Sequence, residues 1–153
     1  MIFASLVMRC GRGVRVPTML KLEVVTPERR VVDVETEIVT VPTASGEAGI
    51  LSNHAPLISA LKPGLLSYSV KGSTEKERLA VATGFVEVSG NQVSVLTDLA
   101  ESAGDVDVDQ ARADREEAEK GLAANAAAPV DETAAIRERL DLANARISLA
   151  AER

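Results

Sequence analysis

Between positions 20 and 99 the chain is written in short runs of alternating apolar and polar residues cut by turn residues, the pattern of half-buried strands. Residues 20–26 alternate around Leu20, Leu22 and Val24 before Pro27 ends the run. Residues 30–34 and 37–41 are rich in β-branched side chains, and Pro42 closes the second. Further runs at 65–70, 78–83, 85–88 and 93–99 lie between Pro63-Gly64, Lys71-Gly72 and Ser89-Gly90-Asn91. Phe85, Val86 and Val88 put strand formers on both faces, which predicts a strand inside a sandwich. Many short strands without intervening helices predict an antiparallel sandwich or barrel.

The period changes after Gly104. Asp107 followed three residues later by Gln110 predicts a helix N-terminus, and the segment to about 125 is rich in Ala, Arg and Glu, which favour helix. Its apolar stripe is Val108, Ala111, Ala118 and Leu122, interrupted by Arg115. Residues 126–130 contain Pro129 and predict a turn. Asp131 is expected to cap a second helix running to about 151, with a stripe of Ile136, Leu140, Ala143, Ile147 and Ala150. That heptad-like spacing predicts an antiparallel two-helix hairpin. The hairpin should be weakly held. Methyl groups bury little area at about 25 cal/mol per Å², and Gly121 costs its helix roughly 1 kcal/mol relative to Ala. The expected organisation is an N-terminal extension at 1–18, a β-sandwich domain at 19–103 and a two-helix domain at 104–153.

Composition narrows the functional classes. Hydrophobic residues make up 46% of the 153 and aromatics only 2%, so the core must be aliphatic and base stacking is disfavoured. The net charge is −6, and residues 105–153 hold 12 acidic and 7 basic side chains, so nearly all of it lies there. That balance argues against nucleic acid and anionic lipid as partners. One cysteine, Cys10, and one histidine, His54, can form neither an intrachain disulfide nor an ordinary Cys/His zinc site. No apolar run approaches the roughly 20 residues that span a bilayer, so membrane contact is expected only through a partner. Residues 1–18 carry Arg9, Arg12 and Arg15 and no acid. They read either as a targeting segment or, the reading the pattern favours, as an extension upstream of a true start at Met19.

Candidate chemistry is sparse. His54 is the sole imidazole available for acid–base work, and no nucleophile or acid is marked as its partner. It is better read as a loop histidine bonded to the backbone or meeting a partner. Phosphate-cradling glycine motifs are missing, which disfavours independent ATP hydrolysis. The informative stretch is Gly46-Glu47-Ala48-Gly49-Ile50-Leu51-Ser52-Asn53-His54-Ala55-Pro56-Leu57. It reads as a tight-turned loop in which Ile50 and Leu51 either form a binding patch or plug the end of the sandwich.

Several of these pieces, in this order, resemble the epsilon subunits of F-type ATP synthases. They are Leu20-Lys21-Leu22-Glu23-Val24-Val25-Thr26-Pro27, the 46–57 stretch followed by Leu61-Lys62-Pro63-Gly64, Thr83-Gly84-Phe85-Val86-Glu87-Val88, and Val93-Ser94-Val95-Leu96. The resemblance covers 19–153. It implies a ten-stranded sandwich with two C-terminal helices, placed in the central stalk against the gamma subunit, the c-subunit ring and the alpha/beta catalytic head. The activity implied is mechanical coupling without catalysis, in a complex peripheral to the cytoplasmic face of a bacterial plasma membrane, or in an organelle if 1–18 is a targeting segment. Contact candidates carried over are Glu47, Ile50, Leu51, His54 and Pro56.

The helices resemble the family's regulatory element, which blocks ATP hydrolysis by meeting acidic surfaces of the head. Arg137, Arg139 and Arg146 are the candidates, against the plainer reading of surface arginines paired with Glu138 or Asp141. No cofactor is implied except regulatory ATP. For that, Val108-Asp109-Gln110-Ala111-Arg112-Ala113 matches an [I/L]-D-x-x-R-A motif except in its first position. Asp109, Arg112 and Ala113 would be its contacts, although Glu119 stands where ATP-binding members have a further arginine. Two other classes compete with the stalk reading. One is a stand-alone sandwich sensing a small ligand or nucleotide; the other is a small sandwich enzyme, which the lack of catalytic groups disfavours.

Overall fold

A computed structural model describes residues 19–73 and 75–152; both readings of the extension at 1–18 lie outside the described residues. Ten strands precede two helices. The strands are β1 (Leu20–Val25), β2 (Arg30–Thr36), β3 (Ile38–Thr43), β4 (Gly46–Leu51), β5 (Leu57–Leu61), β6 (Gly64–Ser69), β7 (Lys76–Val81), β8 (Gly84–Ser89), β9 (Gln92–Thr97) and β10 (Ala100–Ser102). Helix α1 is Val108–Ala124, and a short 3-10 turn at Asp131–Thr133 leads into α2, Ala134–Ala150.

The strands form one hydrogen-bonded path, β10-β7-β6-β3-β5-β8-β9-β1-β2, with β4 paired on β3. It folds into two layers. Strand β3 joins them, since it pairs with β4 and β6 in one layer and touches β5 only at Thr43–Leu61. At the far edge Thr36 Oγ1 donates to the Ser69 carbonyl at 2.7 Å, tying the end of β2 to the end of β6. Pairing is antiparallel except between β1 and β9, which run parallel, so the antiparallel expectation needs that one correction. Leu20, Leu22, Val24, Val86, Val93 and Val95 are fully buried between the layers. Their spacing of two is what a half-buried strand requires.

Three other expectations change. Residues 46–51 are a strand rather than a loop: the glycines at 46 and 49 face Thr43 and Thr40 across the β3–β4 ladder. Phe85 points outward and is 60% exposed, so β8 is buried on one face only. Asp131 opens the 3-10 turn, and the residue before α2 is Thr133, which makes no side-chain cap. At α1 the cap stands: Asp107 accepts from the Gln110 backbone N–H at 3.0 Å. The Gln110 side chain turns instead to Asp114, at 3.1 Å, so the box is half made.

The two helices do pack on one another, and their seam is small. Ala111, Ala118 and Ala143 are buried there, while Val108, Leu122, Ile136, Leu140 and Ile147 are only partly covered. A second face of α2, outside the heptad stripe, lies on β6 and β7. Ala145 and Leu149 join Ala80 and Val106 in a separate apolar cluster. The helices therefore cover the outer face of one layer.

Candidate functional site

Among the described residues no helix lies on the outer face of the other layer, and strand register decides what it shows. Ala60 pairs with Phe85, Phe85 with Leu96, and Leu96 with Val25. These four side chains thus form a row across β5, β8, β9 and β1. Phe85 and Leu96 are 60% and 55% exposed, and Ile58, one pleat along β5, is 75% exposed. Beside the row runs a polar one, Glu87, Ser94 and Glu23, set by the same pairings. Pro27, Val25, Ala60, Leu61, Phe85 and Leu96 line an open groove of about 620 Å³ at the row. A second groove, about 370 Å³, lies around Pro56, Ile58 and Val88. A contiguous apolar strip rimmed by polar side chains is the anatomy of a protein-binding surface rather than of a reaction centre.

None of these outward residues stood out in the sequence as a contact candidate. The signal was present in part: Phe85 and Leu96 break the apolar-in, polar-out alternation of β8 and β9. Only the register puts them side by side.

The predicted contact residues at the end of the sandwich separate. Ile50 is fully buried in the core, so it plugs the sandwich and cannot itself meet a partner in this arrangement, whereas Leu51 is 56% exposed. Glu47, on β4, and Pro56 are exposed, and His54 is partly so. The loop from 52 to 56 is held from two sides. Asn53, at φ 61°, donates its backbone N–H to Asn91 Oδ1 at 2.8 Å, and the His54 N–H donates to the Leu51 carbonyl at 3.1 Å. His54 Nδ1 lies 2.7 Å from the Ala55 carbonyl. A carbonyl only accepts, so that ring nitrogen carries the proton. The imidazole is thus tied to the backbone. Among the described residues, no cluster of three or more His, Cys, Asp and Glu could hold a metal.

The helix arginines are paired, though not with Glu138 or Asp141. Arg146 forks onto Glu101 of β10 (Nε–Oε2 2.7 Å, Nη2–Oε1 3.2 Å) and also reaches Asp114 of α1 at 3.5 Å. Arg139 bridges Asp114 at 2.9 Å and Glu117 at 2.8 Å. Arg137 donates only to Thr133 Oγ1, at 3.2 Å. The Arg139 hydrogen bond, assisted by Gln110 and the nearby charge of Arg146, holds the Asp114 carboxyl below the usual carboxylate range despite partial desolvation. The expected nucleotide residues face solvent on α1. Arg112 leans on Asp109 at 3.9 Å, Ala113 is exposed, and Glu119 pairs with Arg115 at 3.7 Å.

Residues 19–103 match the family model described as "ATP synthase, Delta/Epsilon chain, beta-sandwich domain". The ATP synthase epsilon chain of Desulfitobacterium hafniense (strain Y51) is 50% identical over 101 residues, covering 66% of this chain and 75% of its own length. That of Carboxydothermus hydrogenoformans is 48% identical over 104 residues, 68% of this chain and 76% of its own. The fold is shared with a chain in the cryo-EM structure of Euglena gracilis mitochondrial ATP synthase, OSCP/F1/c-ring in rotational state 1. There the TM-score is 0.67 at 24% identity, over 99% of this chain and 91% of that one.

Proposed function

Because the chain belongs to the ATP synthase delta/epsilon chain family, we propose that it is a non-catalytic central-stalk subunit that couples rotation of the c-ring to the gamma subunit of a proton-translocating synthase. The observation that carries this reading is the uncovered sandwich face. Phe85, Leu96 and Ile58 stay in water in the free chain, and burying an aromatic or large aliphatic side chain is worth about 1.5–3 kcal/mol each. A partner's apolar surface would recover that free energy, and gamma is the partner the family supplies.

The end of the sandwich, with Glu47, Leu51, His54 and Pro56 on a loop pinned to Asn91, is the second surface. We assign it to the c-ring. A two-layer sandwich with an aliphatic core is stiff enough to carry load between two such surfaces, because close-packed interiors deform little. The helical hairpin is the regulatory part. In the arrangement seen, Arg146 is engaged by Glu101 of the sandwich and Arg139 by Asp114 and Glu117 of α1, so inhibition of hydrolysis by Arg146 requires the hairpin to leave the sandwich, and by Arg139 the two helices to part. No described helix is long and apolar enough to cross a membrane, and we place the chain peripherally, at the cytoplasmic face of a bacterial plasma membrane within the complex.

The test is a binding titration of gamma against the full chain and its Phe85→Glu and Leu96→Glu variants. Both sites are exposed, so thermal stability should move by less than about 0.5 kcal/mol. Affinity should fall by at least about 30-fold, the loss expected at an interface hot spot. Unchanged affinity in both variants would remove this face as the gamma-docking surface.

A further inference from the structure

The hairpin's attachment to the sandwich is confined to a few groups. Helix α1 packs mainly on α2, across a seam whose buried side chains are Ala111, Ala118 and Ala143. Helix α2 meets the sheet through Ala145 and Leu149, which cluster with Ala80 of β7 and Val106 of the β10–α1 linker, with Leu65, Ala103, Val108 and Ala150 partly buried against them. Leu149 is the one leucine that α2 buries fully there; Leu65 and Val108 are only partly covered. Just beyond the end of α2, Glu152 pairs with Arg78 of β7, an exposed contact of the kind that contributes little.

Arg146 stands apart from these. It sits between Ala145 and Leu149 in sequence, its side chain is only 12% exposed, and its ion pairs join three elements: β10 through Glu101, α1 through Asp114, and its own α2. Glu101 is nearly as enclosed, at 18%. A forked guanidinium–carboxylate pair is the strong, directional kind, and removing one partner of an enclosed pair strands the other away from water.

We propose that Arg146, clamped by Glu101 and Asp114, is the latch that holds the helical hairpin on the sandwich, so that breaking this contact frees both helices while the sandwich stays folded. The latch works through competition for one guanidinium. Docked, Arg146 is neutralised chiefly by Glu101; released, it keeps only the longer contact to Asp114, at 3.5 Å, and its fork is open to an acidic surface elsewhere. Its regulatory meaning rests on the inhibitory reading of the hairpin given above, whereas the latch itself does not. Asp114 has a second role in it, since it also holds Arg139. Loss of Arg146 therefore leaves Asp114 partnered and Glu101 stranded, which makes β10 the side that lets go.

The experiment uses the full chain with Cys10→Ser and spin labels at Ala123→Cys on α1 and Lys76→Cys on β7, both exposed. Electron–electron distance distributions report whether the hairpin is docked. Glu101→Gln, which is isosteric, and Arg146→Met should each raise the separated population at least about tenfold, in line with breaking an enclosed pair. Circular dichroism should show unchanged strand content. Arg137→Met, which removes a bond to Thr133 within the hairpin, should leave the distribution as in the parent.

Parent-like distances in both Glu101→Gln and Arg146→Met would overturn the latch. Hydrolysis by the reconstituted synthase carrying Glu101→Gln separates the two ideas. A separated hairpin with lowered hydrolysis supports both the latch and inhibition. A separated hairpin with unchanged hydrolysis leaves the latch standing and removes the inhibitory reading.

Discussion

Gly84 shows how closely the sandwich is drawn together behind the exposed row. A methyl group built on its backbone would lie 1.9 Å from the Leu96 carbonyl oxygen, inside any allowed contact, and no side-chain rotation can relieve a clash with backbone. Gly84→Ala should therefore destabilise the chain by roughly 3 kcal/mol or more, at the upper end of overpacking costs. Denaturant unfolding checks this, and a midpoint shift under about 0.5 kcal/mol would show that β8 and β9 can part without loss. At this scale the sequence was only partly legible. Val24, Val86 and Val95 announce their burial by alternation. Ile50 and Leu51 do not, because Gly46 and Gly49 make a strand look like a loop; once β4 is a strand, adjacent residues must point to opposite faces. One is then core and the other surface.

Among the elements, the helices were legible in extent and, at α1 alone, in cap, but not in attachment. The Asp107 cap and the alanine seam follow from local sequence. The docking of α2 on β6 and β7 uses Ala145 and Leu149, which lie off the heptad stripe, and depends on where the sheet happens to be. Arg146 likewise finds Glu101, 45 positions away, rather than an acid on its own helix. The charge network around Asp114 gives the hairpin an acid sensitivity of known sign. The Asp114 pKa in the folded chain lies below the ordinary aspartate value of 3.8, so its stabilising contribution is fully present above about 3.8 and is lost as pH falls through the lower folded value. Arg139 and Arg146 from α2, Glu101 from β10, and Gln110 and Glu117 from α1 face the same cluster. Hydrogen exchange along a pH series should show α1 and α2 losing protection below about pH 4 before the sandwich strands do. The correction for the intrinsic pH dependence of exchange is the same for both. Simultaneous loss in helices and strands would contradict a separately fastened hairpin.

For the molecule as a whole, two outer faces differ: one is covered by helices, the other, among the described residues, is left uncovered and is crossed by Ala60, Phe85, Leu96 and Val25. The order of short strands and the family resemblance made the sandwich and its helical appendage readable in advance. The bare row was not readable, because it exists only through pairings between residues far apart in the chain. The asymmetry suits the coupling role proposed above, in which one face would hold a partner while the other carries the hairpin. Affinity capture of the tagged full-length chain from detergent-solubilised membranes, read by mass spectrometry, tests that role most directly. The account predicts recovery of gamma with the alpha/beta head and c-ring, at about one copy of this chain per gamma. Recovery of the chain alone, with no synthase subunit enriched, would contradict it.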